Sequence, residues 1–297
     1  MLKNSIFAFA TLVLSVTVNL HAEQEKSTAL SNPFYVMDTN LSRWKNRTPD
    51  QVAGFLKELG YDGYGHSGTK DIDKYLAALK KHDLKLFNTY LALNLDAQVK
   101  IKPAVLDVVK KFKDTGAMIW LCVPGKKYDR KTRNGDDIAV AAIQELADYA
   151  HKYNVKIALY PHAWLYVETV SDAVRIAEKV NRRNVGVTIN LCHWLKVEGL
   201  KNSKETIDMI REAMPYLFQV TINGAESGDT KSMSFRRLIQ PLDSGSYDVN
   251  ALIAPLLQAG YRGPIGLQGY GIPGNPKENL KRSISAWKKM QSKYAQP

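Results

Sequence analysis

Three of the six histidines in this chain, His66, His162 and His193, stand where an apolar run gives way to polar residues. Amides stand at similar places: Asn88, Asn190, Asn223 and Gln268 each close or directly follow an apolar stretch. A neutral imidazole can take or give a proton near pH 7. An amide offers a donor and an acceptor without charge. Tyr160, Trp164, Trp194 and Tyr270 stand close by, and aromatic rings can stack on the face of a sugar. Together these groups suit a polyhydroxylated ligand. The candidate catalytic residues are therefore His162 and His193. The candidate substrate-binding residues are His66, Asn88, Tyr160, Asn190, Trp194, Asn223 and Gln268. Each also has a plain packing role open to it, such as an imidazole bonded to a carbonyl or a ring in the core. The loop acids Glu168, Glu226 and Asp229 are expected to be solvated, although one of them could supply a base.

The elements that must position these residues alternate between strand-like and helix-like eight times. The strands are expected at 34–39, 63–66, 85–93, 117–123, 155–160, 185–191, 217–222 and 264–268. The helices between and after them run from Thr48-Pro49-Asp50 to Gly60, then over 71–83, 102–114, 136–152, 171–181, 203–213, 249–259 and 277–294. Thr48 supplies an N-cap, Pro49 a first-turn proline and Asp50 an early acid. Strands alternating with helices of this length imply parallel β/α units. Eight of them in about 260 residues predict a closed (β/α)₈ barrel. The candidate residues all fall at or just beyond the C-terminal strand ends, where such barrels carry their sites.

The N-terminus reads as a leader peptide. Lys3 precedes the apolar run Ile6 to Val18, which gives way to His21-Ala22 and a polar segment. We expect a signal peptide over 1–22, an extension over 23–32 and one barrel over 33–297, with export to the periplasm or beyond. No later stretch is long and apolar enough for stable membrane insertion. Removal of the leader leaves 297 − 22 = 275 residues, close to the roughly 250 of one such barrel. Cys122 and Cys192 fall in separate strand-like segments and are expected to be free, buried thiols. The formal charge of +12 comes largely from lysines at helical spacing, such as Lys80, Lys81, Lys110 and Lys111. That pattern marks solvated helix faces, with only a weak hint of an anionic ligand and no nucleic-acid partner. No glycine-rich dinucleotide fingerprint follows the first strand, so no nucleotide cofactor is expected. Nothing in the sequence fixes an oligomeric state.

Tyr160-Pro161-His162, Asn190-Leu191-Cys192-His193 and Gly263-Pro264-Ile265-Gly266-Leu267-Gln268 resemble the xylose isomerase-like barrels. That superfamily holds sugar isomerases, epimerases, dehydratases and endonuclease IV. The resemblance implies a divalent metal held by acids on the fifth, sixth and eighth strands and a histidine on the seventh, with a further histidine touching substrate. His193, three residues after Asn190, fits that last role. The acids do not carry over: Tyr160, Asn190 and Gln268 stand in their places, and Thr221 or Asn223 stands near the seventh-strand histidine. Loss of anionic oxygens disfavours a hard cation. One divalent transition ion on His162, His193, Asn190 and Gln268 stays open. The multi-zinc ligand set of an endonuclease is missing. The sequence thus points to an exported isomerase or epimerase-type enzyme acting on a sugar or keto-sugar, or to a carbohydrate-binding barrel that has lost the metal chemistry.

Overall fold

The computed structural model describes residues 29–295. The proposed leader peptide and most of the extension lie outside these residues. The strands are β1 (Phe34–Met37), β2 (Gly63–Ser67), β3 (Lys85–Ala92), β4 (Met118–Cys122), β5 (Ile157–Leu159), β6 (Val185–Asn190), β7 (Leu217–Ile222) and β8 (Ile265–Leu267). All pair in parallel in sequence order, and β8 pairs with β1 to close the barrel. Around it run α1 (Pro49–Leu59), α2 (Ile72–Lys81), α3 (Pro103–Lys111), α4 (Asp136–His151) and α5 (Val170–Val180). They are followed by α6 (Leu191–Glu198), α7 (Ser203–Ala213), α8 (Phe235–Leu238), α9 (Asn250–Gln258) and α10 (Pro276–Tyr294). Among the described residues no helix is long and apolar enough to cross a membrane.

Side chains alternate across each strand, so every strand feeds two cores. On β4, Ile119 and Leu121 point out to the helices, whereas Met118, Trp120 and Cys122 point inward. The inner core is aromatic: Tyr35, Phe87, Trp120 and Tyr160 fill it. Such rings fit only because small residues face them. A Cβ on Gly266 would lie 2.5 Å from the Tyr35 ring, so the missing side chain there makes room for that ring.

Local chemistry sets the element ends. Thr48 and Gln51 form a reciprocal capping box at α1, as do Thr169 with Asp172 at α5. The first strand ends earlier than its apolar run suggests, and residues Asp38–Leu41 turn in a 3₁₀ helix. The Asn40 amide donates to the carbonyls of Met37 (3.0 Å) and Leu267 (2.7 Å), which draws the chain back across β8. Two helices were not expected. Asn190 accepts from the His193 N–H at 3.1 Å and so caps α6 directly off β6. Cys192 and His193 therefore sit in a helical turn, not at the end of a strand. The second, α8, lies inside the segment read from the sequence as a long polar loop. Cys122 and Cys192 are both free and buried.

Candidate active site

A cavity of about 470 Å³ opens at the C-terminal strand ends, within the usual range for small-molecule sites. Tyr160, His162, His193 and Gln268 line it. Asn190 lies directly beneath, its Nδ2 donating to the Tyr160 hydroxyl at 3.1 Å. The other four candidates do not line the cavity. His66 faces outward between β2 and α2, against Tyr64 and Tyr75, with Nε2 bonded to the Lys70 carbonyl at 2.8 Å. Asn88 is fully buried lower in the barrel and donates to Tyr35 Oη and Gln219 Oε1, both at 2.9 Å. Trp194 packs in the layer between strands and helices. Asn223 donates to the carbonyls of Gly224 (2.8 Å) and Leu238 (2.6 Å). It thereby pins α8, which brings Phe235 to the cavity.

Thr39, Ser67, Tyr90, Trp120 and Phe235 also line the cavity and were not singled out by sequence. Strand parity could have found Ser67. Gly65 faces inward, where a Cβ would strike Met37 and Tyr35, so Ser67 faces inward too and His66 outward. Phe235 had no local signal, because only the tertiary bond from Asn223 delivers it. Among the described residues no lysine, arginine, aspartate or glutamate lines the cavity, so the ligand face they form is neutral. The net charge of the chain lies elsewhere.

His162 and His193 come from the loop after β5 and the first turn of α6. Their ring centroids are 3.9 Å apart. The backbone of one residue, Ala163, fixes both tautomers through its two flanking peptide groups. The Ala163 carbonyl can only accept, so His162 Nδ1, 2.9 Å away, carries a proton. The Ala163 N–H can only donate, so His193 Nδ1, at 3.3 Å, carries a lone pair. In the neutral rings, His162 Nε2 is then an acceptor and His193 Nε2–H a donor. Burial lowers the pKa of both rings, and the neighbouring His162 lowers that of His193 further. The pair is therefore neutral at pH 7, one ring a base and the other a donor.

The loop carrying Ala163 is braced from below. The Tyr166 hydroxyl accepts from Gly135 N–H (3.0 Å) and donates to Asp136 (2.8 Å). Burial alone would raise the pKa of Asp136. Bonds from Arg175, Lys179 and Tyr166 outweigh it and hold the carboxyl ionised. Burial also pushes the Tyr160 phenol well above its usual value, so it remains a neutral O–H.

The donor set does not fit a divalent ion. The Asn190 Oδ1 already accepts from His193 N–H and from the Cys192 thiol at 2.9 Å, and its Nδ2 donates to Tyr160 and to Thr221 at 2.6 Å. The Gln268 Oε1 accepts from Thr39 Oγ1 at 2.8 Å and Gly269 N–H at 3.0 Å. Both amide oxygens thus have their lone pairs engaged. His193 presents a proton rather than a lone pair. Among the described residues no three His, Cys, Asp or Glu side chains are grouped to hold a metal. His162, His193, Asn190 and Gln268 do cluster, but as a hydrogen-bonded network and not as a ligand shell.

A family model described as the xylose isomerase-like TIM barrel matches residues 53–290. No curated protein matches the chain by sequence. Among solved structures, the IOLI protein with a bound zinc atom has a TM-score of 0.69 and 18% identity, covering 88% of this chain and 99% of that one. The apo form of YcjR from E. coli, a 3-keto-D-glucoside 4-epimerase, has a TM-score of 0.69 and 15% identity, covering 87% and 99%. A D-allulose 3-epimerase from Methylomonas sp., in complex with D-allulose, has a TM-score of 0.65 and 19% identity, covering 88% and 97%. At these identities the likeness is one of fold.

Proposed function

The chain belongs to the xylose isomerase-like TIM barrel family, and from that premise we propose that it is an exported enzyme that moves a proton next to a carbonyl on a neutral sugar or keto-sugar. The observation that carries this reading is the Ala163 backbone, whose C=O and N–H set two closely packed imidazoles in opposite tautomers. His162 Nε2 takes the proton from the carbon beside the carbonyl. The C–H electrons form the new C=C bond, and the carbonyl π electrons move onto oxygen. His193 Nε2–H hydrogen-bonds that oxygen as a neutral electrophile, a pattern known for buried imidazoles of low pKa. Full proton loss from His193 would leave an imidazolate, so His193 polarises while His162 carries the proton. The Tyr160 hydroxyl, already accepting from Asn190, and the Gln268 amide add neutral donors for the developing charge.

Base and electrophile share one wall of the cavity. A proton taken and returned by His162 therefore stays on one face of the substrate. This favours shifting a carbonyl between neighbouring carbons, or elimination, over inversion at a single carbon. The neutral lining favours an unphosphorylated substrate. Relatives of this fold include a 3-keto-D-glucoside 4-epimerase and a D-allulose 3-epimerase, and keto-sugars are accordingly the substrates to try first. Export rests on the basic and apolar pattern of residues 1–22.

The test is exchange of substrate α-protons in D₂O, followed by NMR over ketoses and keto-glycosides. The expected result is exchange that disappears in His162→Ala. A second reading, a carbohydrate-binding barrel, draws on the lowered pKa of His162, which weakens it as a base. Binding without exchange in any ketose or keto-glycoside would overturn the enzyme and leave the binder. Fusion of residues 1–28 to a reporter tests export, which fails if the reporter stays in the cytoplasm.

A further inference from the structure

The cavity has a buried floor and an exposed aromatic rim. Trp120, Tyr160, His193 and Gln268 at the floor are between 1% and 6% exposed, whereas Trp164 and Tyr270 at the rim are 70% and 68% exposed. The other large hydrophobic side chains exposed among the described residues are the aliphatic Val99, Leu200 and Ile207, and none of them lines the cavity. A single exposed ring is ordinary, but two at the mouth of one concave site are not.

Trp164 is held where it is against local preference, and Tyr270 sits in a glycine-flanked turn. Trp164 has φ +67°, a left-handed conformation that bulky residues avoid. Its N–H donates to Glu168 at 2.5 Å, and Glu168 pairs with Arg130. Phe235 meets the Trp164 ring edge-on at 5.5 Å. Tyr270 stands between two glycines, the first barred from a side chain by contact and the second by its backbone angle. A Cβ on Gly269 would lie 1.8 Å from the Asn40 amide, and Gly271 has φ +74°. The strain at Trp164 is of the kind that persists at binding sites because the surroundings impose it.

We propose that Trp164 and Tyr270 form a second subsite, which stacks the outer ring of a neutral glycoside whose reacting sugar lies on the floor. This rests on the sugar-directed reading of the cavity above and deepens it, since it makes the substrate a disaccharide or an aryl glycoside rather than a free monosaccharide. The apolar C–H face of a pyranose matches an aromatic face in shape and polarity. The uncharged lining supplies no partner for an ionic aglycone.

The test is calorimetric titration of the full mature chain with maltose, cellobiose and trehalose against methyl α- and β-D-glucopyranoside. The expected result is at least one disaccharide binding ten-fold or more tighter than either methyl glucoside. Trp164→Ala and Tyr270→Ala should each remove at least five-fold of that preference. Methyl glucoside affinity should stay within two-fold and Tm unchanged. Equal affinity for one-ring and two-ring ligands, equal weakening of both by Trp164→Ala, or no binding by any of the five overturns the subsite. Disaccharide preference without α-proton exchange would instead remove the enzyme reading and leave the subsite. Exchange without disaccharide preference would do the reverse.

Discussion

β2 and β5 each hand the chain to a loop through a histidine, and the two imidazoles finish in different compartments. His66 is still within the strand, on the outward parity, and its ring lies beside the stacked pair of Tyr64 and Tyr75 under α2. His162 lies two residues beyond Tyr160, after Pro161, in a loop that returns over the barrel mouth. The backbone engages a different nitrogen in each. His66 bonds a carbonyl through Nε2 and buries an unpartnered Nδ1. His162 bonds one through Nδ1 and leaves Nε2 to the cavity. Under the proposed chemistry, a strand-end histidine is set to react by the side of the sheet it faces and the nitrogen the backbone leaves free.

The sharpest way to break that comparison is to remove each imidazole in turn. His162→Ala should lower the α-proton exchange rate by about 10² to 10⁴-fold, the usual worth of a general base. His66→Ala should leave exchange within two-fold. Its cost should fall on stability, roughly 1–3 kcal/mol for a lost buried bond and packing, read as a lower Tm. A reversal, with His66 controlling exchange at unchanged Tm, would show that the outward ring reaches the chemistry.

The next effect in size tests the donors that stand beside the base. Tyr160→Phe deletes one O–H from the cavity and should slow exchange by about 10²-fold, as for other donors to a developing oxyanion. Asn190 keeps a partner in Thr221, so stability should fall by only about 1 kcal/mol. A rate unchanged in the phenylalanine variant would leave His193 and Gln268 as the polarising groups.

All eight β/α units could be read from the sequence, because strand and helix periodicities differ and because Thr48, Pro49 and the apolar runs mark their ends. The misplacements share one cause. Asn190 does end β6, but its side chain also caps a helix and draws His193 out of the strand reading into that helix. Asn223 looks like a ligand and is instead the pin for α8. Trp194 looks like a stacking platform and is core. An amide or indole next to a strand end announces a polar task, but the partner that completes it comes from a distant segment. The Ala163 device was invisible for the same reason, since any residue's peptide could perform it.

A smaller effect, on stability, tests the histidine pair by pH. His162 and His193 both have pKa values lowered by burial, His193 the more strongly. The unfolded chain binds these protons near the ordinary value of about 6.5. Below that pH the unfolded state takes up protons that the native state refuses. Stability is therefore fully present above pH 6.5 and lost as pH falls towards the folded values, by up to about 1.4 kcal/mol per pH unit for each proton. Urea denaturation between pH 7 and 5 should show this slope, and His193→Asn should flatten it. The exchange rate should fall over the same acid range, because protonated His162 is no longer a base. A slope that survives both His193→Asn and His162→Asn would place the titration elsewhere.

The smallest effect probes the strained residue beside Ala163. Trp164 at φ +67° carries a Cβ where only glycine is comfortable, and alanine at that position keeps the same Cβ. Trp164→Gly should therefore be more stable than Trp164→Ala by roughly 1 kcal/mol, about 2–4 °C in Tm for a chain of this size. Glycine also frees the turn that sets Ala163 between the two histidines. Exchange in Trp164→Gly should then fall a few-fold below that in Trp164→Ala despite the higher Tm. Equal rates in the two variants would mean that Tyr166 and its bond to Asp136 suffice to hold the Ala163 peptide, and that the left-handed turn serves the rim alone.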